Sequence, residues 1–276
     1  MAQRMIPVLA MVMLLHIFSS YAFVRRTKRS SSTLAGTDYR LWDDERRFPL
    51  PGIMGRQTQW VFNTVADLLR IQGEGSEFIP EISKNLLLDA LKQTGRNGSK
   101  ASEQQKKEIE GLIEVLEAGN PTLNPALATK KMEGNWQMLY TDLSPAAPSS
   151  GKLGPFTGDV YQSLDPRKGV VKNLLNIDLP LVKISGGLVA QQSIYDKETW
   201  RIDFDYVFNS VLFGRTPLGS QKKPFEVGKE TRLWKITYLD DNLRILRARR
   251  LASPEQEGYI FVLKRVMHLP LDASKI

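Results

Sequence analysis

Two aspartates two residues apart, Asp203 and Asp205, are the nearest this sequence comes to a paired acid and base. Two carboxylates divide acid and base work only where their surroundings drive their pKa values apart. Here they alternate with Trp200, Ile202, Phe204, Tyr206 and Phe208. A strand that turns that apolar row inward turns both carboxylates to solvent, which argues against catalysis. Cysteine is absent, and with it thiol nucleophiles, thiolate zinc sites and disulfide scaffolds. The only histidines, His16 and His268, are too few for a histidine metal cluster. There is no Gly-x-Ser-x-Gly elbow, and Gly73-x-Gly75 lacks the third glycine and preceding strand of a dinucleotide loop. The expectation is a protein that is not an enzyme and needs no cofactor or metal.

What the residues do offer is aromatic surface. Trp136 and Tyr140, then Trp200, Phe204 and Tyr206, then Trp234 and Tyr238 fall at even spacings within three strand-like segments. Seven rings turned to one side can hold an apolar ligand by surface burial, at about 25 cal/mol per Å². Two readings stand: the rings line a ligand pocket, or they simply fill the space. Asp240 completes the candidate set. It opens an Asp-Asp-Asn turn, where its carboxylate can accept backbone N–H bonds, with contact to a ligand as the alternative. Arg244, Arg247, Arg249 and Arg250 form a local basic run, either ordinary surface or a contact for anionic head groups.

The elements that must position these residues are mostly strands. Period-two patterning predicts strands over 132–142, 158–164, 169–177, 181–195, 199–208, 232–239, 243–249 and 258–266. Gly186-Gly187 marks a bulge or bend in the fourth. About eight strands joined by hairpin-scale turns argue an antiparallel sheet, and eight suffice to close a barrel around one ligand. Two Pro/Gly/Ser-rich stretches, 143–155 and 213–229, read as mobile mouth loops or lids. Before the strands, helical spacing predicts helices around Val61–Leu69, over 81–93, and over 102–118, the last with a Ser102/Gln105 capping box. These helices either cap the barrel or lay an apolar stripe on a lipid surface or partner helix. The fold class is mainly β with N-terminal helices.

The formal charge of +8 does not point to nucleic acid, because residues 1–50 alone hold eight Lys/Arg against four Asp/Glu. Met5–Phe18 is a 14-residue apolar run behind Arg4, too short to span a bilayer, with Ser20 and Ala22 placed for signal-peptidase cleavage. The basic, hydroxyl-rich stretch from Phe23 that follows reads as an organelle transit peptide. The expected organisation is a signal peptide over 1–22, a transit or unstructured segment over 23–55, a helical segment over 56–125, a barrel over 126–268 and a tail over 269–276.

Several strings in this order resemble the plastid lipid-associated protein, or fibrillin, family. They are Asn124-Pro125 with Gly134-x-Trp136-x-x-x-Tyr140-Thr141, then Val160-Tyr-Gln-Ser-Leu-Asp165, then Tyr238-Leu-Asp240 with Leu243-Arg-Ile245, and finally Gly258-x-x-Phe261-Val-Leu-x-Arg265. Arg247-Ala248-Arg249 and the insertion after it depart from the usual Arg-Gly pair. The resemblance implies a lipocalin-like barrel at plastoglobules or thylakoids, bound to carotenoids, quinones or other prenyl lipids. It also implies a plastid location, and the signal segment abutting the basic stretch from Phe23 resembles the bipartite leaders of algae with secondary plastids. The alternative partner is a prenyl-lipid biosynthetic enzyme, for which the protein would act as a scaffold.

Overall fold

The computed structural model describes residues 78–213, 216–226, 230–252 and 258–270. The expected signal and transit segments and the helix around Val61–Leu69 lie outside them.

Among the described residues two helices come first, α1 (Phe78–Lys92) and α2 (Glu103–Ala118). The predicted capping box starts α2: Gln105 N donates to Ser102 Oγ at 3.2 Å, and Ser102 N donates to Gln105 Oε1 at 3.0 Å. Its apolar stripe, Ile109, Leu112, Ile113 and Leu116, is buried, at roughly 1.5–3 kcal/mol per side chain. That stripe is therefore not free for a lipid surface, and the capping reading holds for this helix. A 3-10 turn (Pro125–Leu127) and the one-turn α3 (Thr129–Met132) then lead into the sheet.

Eleven strands follow: β1 (Gly134–Thr141), β2 (Lys152–Leu153), β3 (Phe156–Thr157), β4 (Asp159–Asp165), β5 (Val170–Asp178), β6 (Val182–Ile194), β7 (Thr199–Phe213), β8 (Thr216–Pro224), β9 (Thr231–Leu239), β10 (Leu243–Arg250) and β11 (Tyr259–Val266). Eight of them close antiparallel in the order β1-β4-β5-β6-β7-β9-β10-β11, and β11 pairs back to β1. The expected eight-stranded barrel is present. Its inner cluster draws side chains from all eight strands, and Ala126 and Met132 pack into it at one end.

Three expectations need correction. The stretch 213–229 is not wholly a loop, because β8 within it pairs along the outer half of β7 as a hairpin. Backbone pairing there overrides a Pro/Gly-rich composition. The stretch 143–155 is held down rather than free. Asn97 Nδ2 donates to Ser150 O at 3.0 Å and to Gly158 O at 2.8 Å, clamping both ends of the small β2–β3 hairpin. Gly186-Gly187 makes no bulge, since β5 and β6 stay in register through it. A Cβ on Gly187 would lie 2.1 Å from Asn173 O, so close strand packing explains the missing side chain.

The bulges in the eight-stranded barrel's own pairings lie elsewhere, one in each aromatic strand. In β1 Met138 faces Leu263 but Tyr140 faces Val262, leaving Leu139 as the extra residue. In β7 Phe204 faces Ala190 but Tyr206 faces Val189, leaving Asp205 extra. In β9 Ile236 faces Leu246 but Tyr238 faces Ile245, leaving Thr237 extra. One inserted residue reverses every side chain beyond it.

Candidate functional site

The bulges sort the seven candidate rings into two sets. Trp136, Trp200, Phe204 and Trp234 precede their bulges and join the inner cluster. Tyr140, Tyr206 and Tyr238 follow theirs and turn to the outer face, correcting the expectation that all seven rings point one way. The division follows chemistry. A phenol brought inside needs a hydrogen-bond partner there, whereas outside it meets helices, lysines or water.

Each tyrosine has an outer role. Tyr140 lies against the 3-10 turn at Arg96–Gly98, so close that a Cβ on Gly98 (φ 82°) would come within 2.5 Å of its ring. Burial, with Asp142 and then Glu110 nearby, pushes its pKa up to about 12. Tyr206 sits beneath Lys222, whose Nζ is 3.4 Å from the ring centroid, beside an outer cluster of Leu174, Val189 and Phe208. Tyr238 donates to Asp240 Oδ2 at 2.9 Å.

Asp240 is a joint between turn and helix. Its Oδ1 accepts from Asn242 N at 2.7 Å and Leu243 N at 2.6 Å, as a turn-forming aspartate should. Its Oδ2 also meets Lys84 Nζ of α1 at 3.1 Å. Desolvation alone would raise its pKa. The two backbone N–H groups, the Tyr238 hydroxyl and Lys84 outweigh that and hold it below the usual carboxylate range.

The tryptophans fix the closed end of the barrel. Trp136 Nε1 donates to Met132 O at 3.0 Å and Trp200 Nε1 to Ala126 O at 2.8 Å, tying the segment before β1 across the opening. Arg265 stacks on Trp136 with its guanidinium 4.3 Å from the ring centroid, and donates to Glu133 O at 2.7 Å and to Lys131 O. Farther along the inner wall, Arg232 lies 5.2 Å from the Phe204 ring and pairs with Glu230 at 3.1 Å.

One inward residue went unrecognised. Arg244, read as part of a basic surface run, has no exposed surface and points into the barrel. Its guanidinium stacks on Trp136 at 4.8 Å and its Nη2 donates to Gln162 Oε1. Its Nε and Nη1, and Asn173 Oδ1 opposite Gln162, are buried without partners. The available signal was local: Arg244 is the single polar residue in Leu243-Arg-Ile-Leu246, and all four are buried. Arg247, three residues on, points outward and grips Glu117 of α2 through two bonds of 3.1 Å.

Catalytic geometry is not evident at the suspected pair. The bulge separates Asp203 from Asp205. Asp203 accepts from Arg201 Nε at 2.9 Å and from Thr231 Oγ1 at 2.5 Å, and Asp205 is exposed. By register, no described inward position of the eight barrel strands carries Asp, Glu or His. Among the described residues no three His, Asp or Glu side chains gather to hold a metal ion. The interior offers apolar walls, stacked guanidinium groups and a few amide contacts, a chemistry of binding.

Several known proteins are similar to this chain. Plastoglobulin-1, chloroplastic, from Pisum sativum is 26% identical over 66% of this chain and 60% of its own length. The probable plastid-lipid-associated protein 3, chloroplastic, of Oryza sativa subsp. japonica is 29% identical over 39% of this chain and 29% of its own. A chromoplast-specific carotenoid-associated protein C1 from an Oncidium hybrid cultivar is 31% identical over 40% of this chain and 31% of its own. The chain thus matches between about a third and three fifths of these relatives. A solved streptavidin-like protein from Bacteroides eggerthii aligns at a TM-score of 0.32 and 13% identity, over 48% of this chain and 80% of that one. That score adds nothing to the fold described above. The family model PAP_fibrillin matches residues 81–264, from α1 to β11, and the chain belongs to the PAP_fibrillin family.

Proposed function

We propose that this protein is a non-catalytic lipid carrier or coat protein of the plastid, with the inner face of its barrel as the lipid site. One observation carries the reading: Trp136, Trp200, Phe204 and Trp234 converge inside a closed barrel whose described inner wall holds no acid–base pair. A lipid chain against such a wall gains about 25 cal/mol for each Å² it removes from water, and most of its surface can be removed. The names of the family's relatives, plastid lipid-associated and carotenoid-associated, point to the same class of ligand. The lipids in view are carotenoids, quinones and other prenyl lipids, and the location is the plastoglobule or thylakoid surface.

Extraction tests it. Protein purified from its own plastid is extracted with organic solvent, and the extract is identified by mass spectrometry. Near-stoichiometric lipid supports the carrier. A lipid-free extract, with a biosynthetic enzyme co-purifying one to one, overturns it in favour of a scaffold.

A further inference from the structure

Arg244 is the least accommodated charge among the described residues. Three half-buried arginines have carboxylates: Arg232 has Glu230, Arg201 has Asp203, and Arg247 has Glu117. Arg265 has the backbone carbonyls of Lys131, Glu133 and Asp241. Arg244 has one neutral amide and one ring face, at no exposure, and leaves two of its three nitrogens, Nε and Nη1, without a partner. A guanidinium presents its donors in a rigid fork that matches a carboxylate's two oxygens. A buried cation without a counter-charge is costly, and an orphaned buried donor calls for a partner that the fold itself does not supply. Burial, and the nearby Arg265, press its pKa down to about 9, so it remains charged at neutral pH.

We infer that Arg244 receives the anionic head of a lipid, a carboxylate at the end of an acyl or isoprenoid chain, held against Trp136 and Gln162 near the plugged end of the barrel. Position supports this. Arg244 is the second residue of β10, and β10 begins at the end where Met132 and Ala126 close the barrel. Trp200, Phe204 and Trp234 remain as wall for the chain. A neutral carbonyl would fill the donors but leave the charge uncompensated, so the geometry prefers an anion to a quinone or a carotenoid. This rests on the reading that lipid enters the barrel, and adds to it a ligand class.

The test uses one chain with two heads. Delipidated full-length protein is titrated with cis-parinaric acid and with its methyl ester, following polyene emission excited through tryptophan. The acid is expected to bind at least tenfold tighter than the ester. Arg244→Met should bring the two to equal affinity while the ester still binds, and Arg244→Lys should restore part of the preference. Equal affinity of acid and ester in the wild type overturns the inference for Arg244 and leaves the interior lipid site standing. Failure of both probes to bind removes the interior site as well. If Arg244→Met does not fold, the wild-type comparison decides alone.

Discussion

Replacing Asp240 by Asn should weaken the fold by about 2 kcal/mol without touching lipid binding. The substitution keeps an oxygen for the Asn242 and Leu243 amides and removes the charge that Lys84 and the Tyr238 hydroxyl share. Breaking a fully buried pair costs about 3–5 kcal/mol, because the abandoned charge stays out of water. Here the two side chains are 15% and 17% exposed, and Lys84 keeps a second partner in Glu81 at 3.0 Å, so the cost is smaller. The assay is a double-mutant cycle with Lys84→Met, by urea denaturation, with an expected coupling of about 1–2 kcal/mol. The pH dependence follows from the signs. The carboxylate is held below its ordinary value of 3.8, so its contribution is complete above that value and drains away as pH falls through the folded-state pKa. Lys84 is raised above 10.5, and its share is lost only as pH rises through that higher value. The coupling should therefore be flat through the neutral range and fade in acid. A coupling below about 0.3 kcal/mol at pH 7 would refute the claim that this joint ties α1 to the barrel.

Further outcomes follow from the same geometry. Deleting Asp205 replaces the β7 bulge by regular pairing, with Phe204 still facing Ala190 and Tyr206 still facing Val189, so unfolding should stay cooperative, and Asp205→Ala should stay within about 0.5 kcal/mol of wild type, both read by urea denaturation. Ser102→Ala should cost about 1 kcal/mol through the lost α2 cap, read by chemical denaturation. Asp142 runs opposite to Asp240. Desolvation raises its pKa, so its charged form opposes folding at neutral pH, and Asp142→Asn, which keeps an oxygen for Ile260 N, should raise Tm at pH 7 and not at pH 3.

Much of this fold can be read from residue spacing. Alternation marks the strands from β4 to β11 other than β8, because one face of each meets the packed interior. The α2 cap and stripe are equally local, and they are found where the pattern puts them. The side-chain directions after Leu139, Asp205 and Thr237 are not legible, since an inserted residue leaves composition unchanged while reversing parity. The aromatic types carry a partial signal. The three candidate tryptophans lie inside, and the three candidate tyrosines, each with a hydroxyl to satisfy, lie outside. Arg244 escapes notice for a different reason. Neighbouring arginines make the stretch look like surface, and only closure of the barrel shows which of them is enclosed.

The most direct measurement is a crystal structure of the protein equilibrated with a bromine-labelled isoprenoid lipid, phased on the bromine. The account predicts anomalous density inside the barrel, in van der Waals contact with Trp200 and Trp234. Bromine found only on the outer face, with the interior filled by side chains alone, would contradict it.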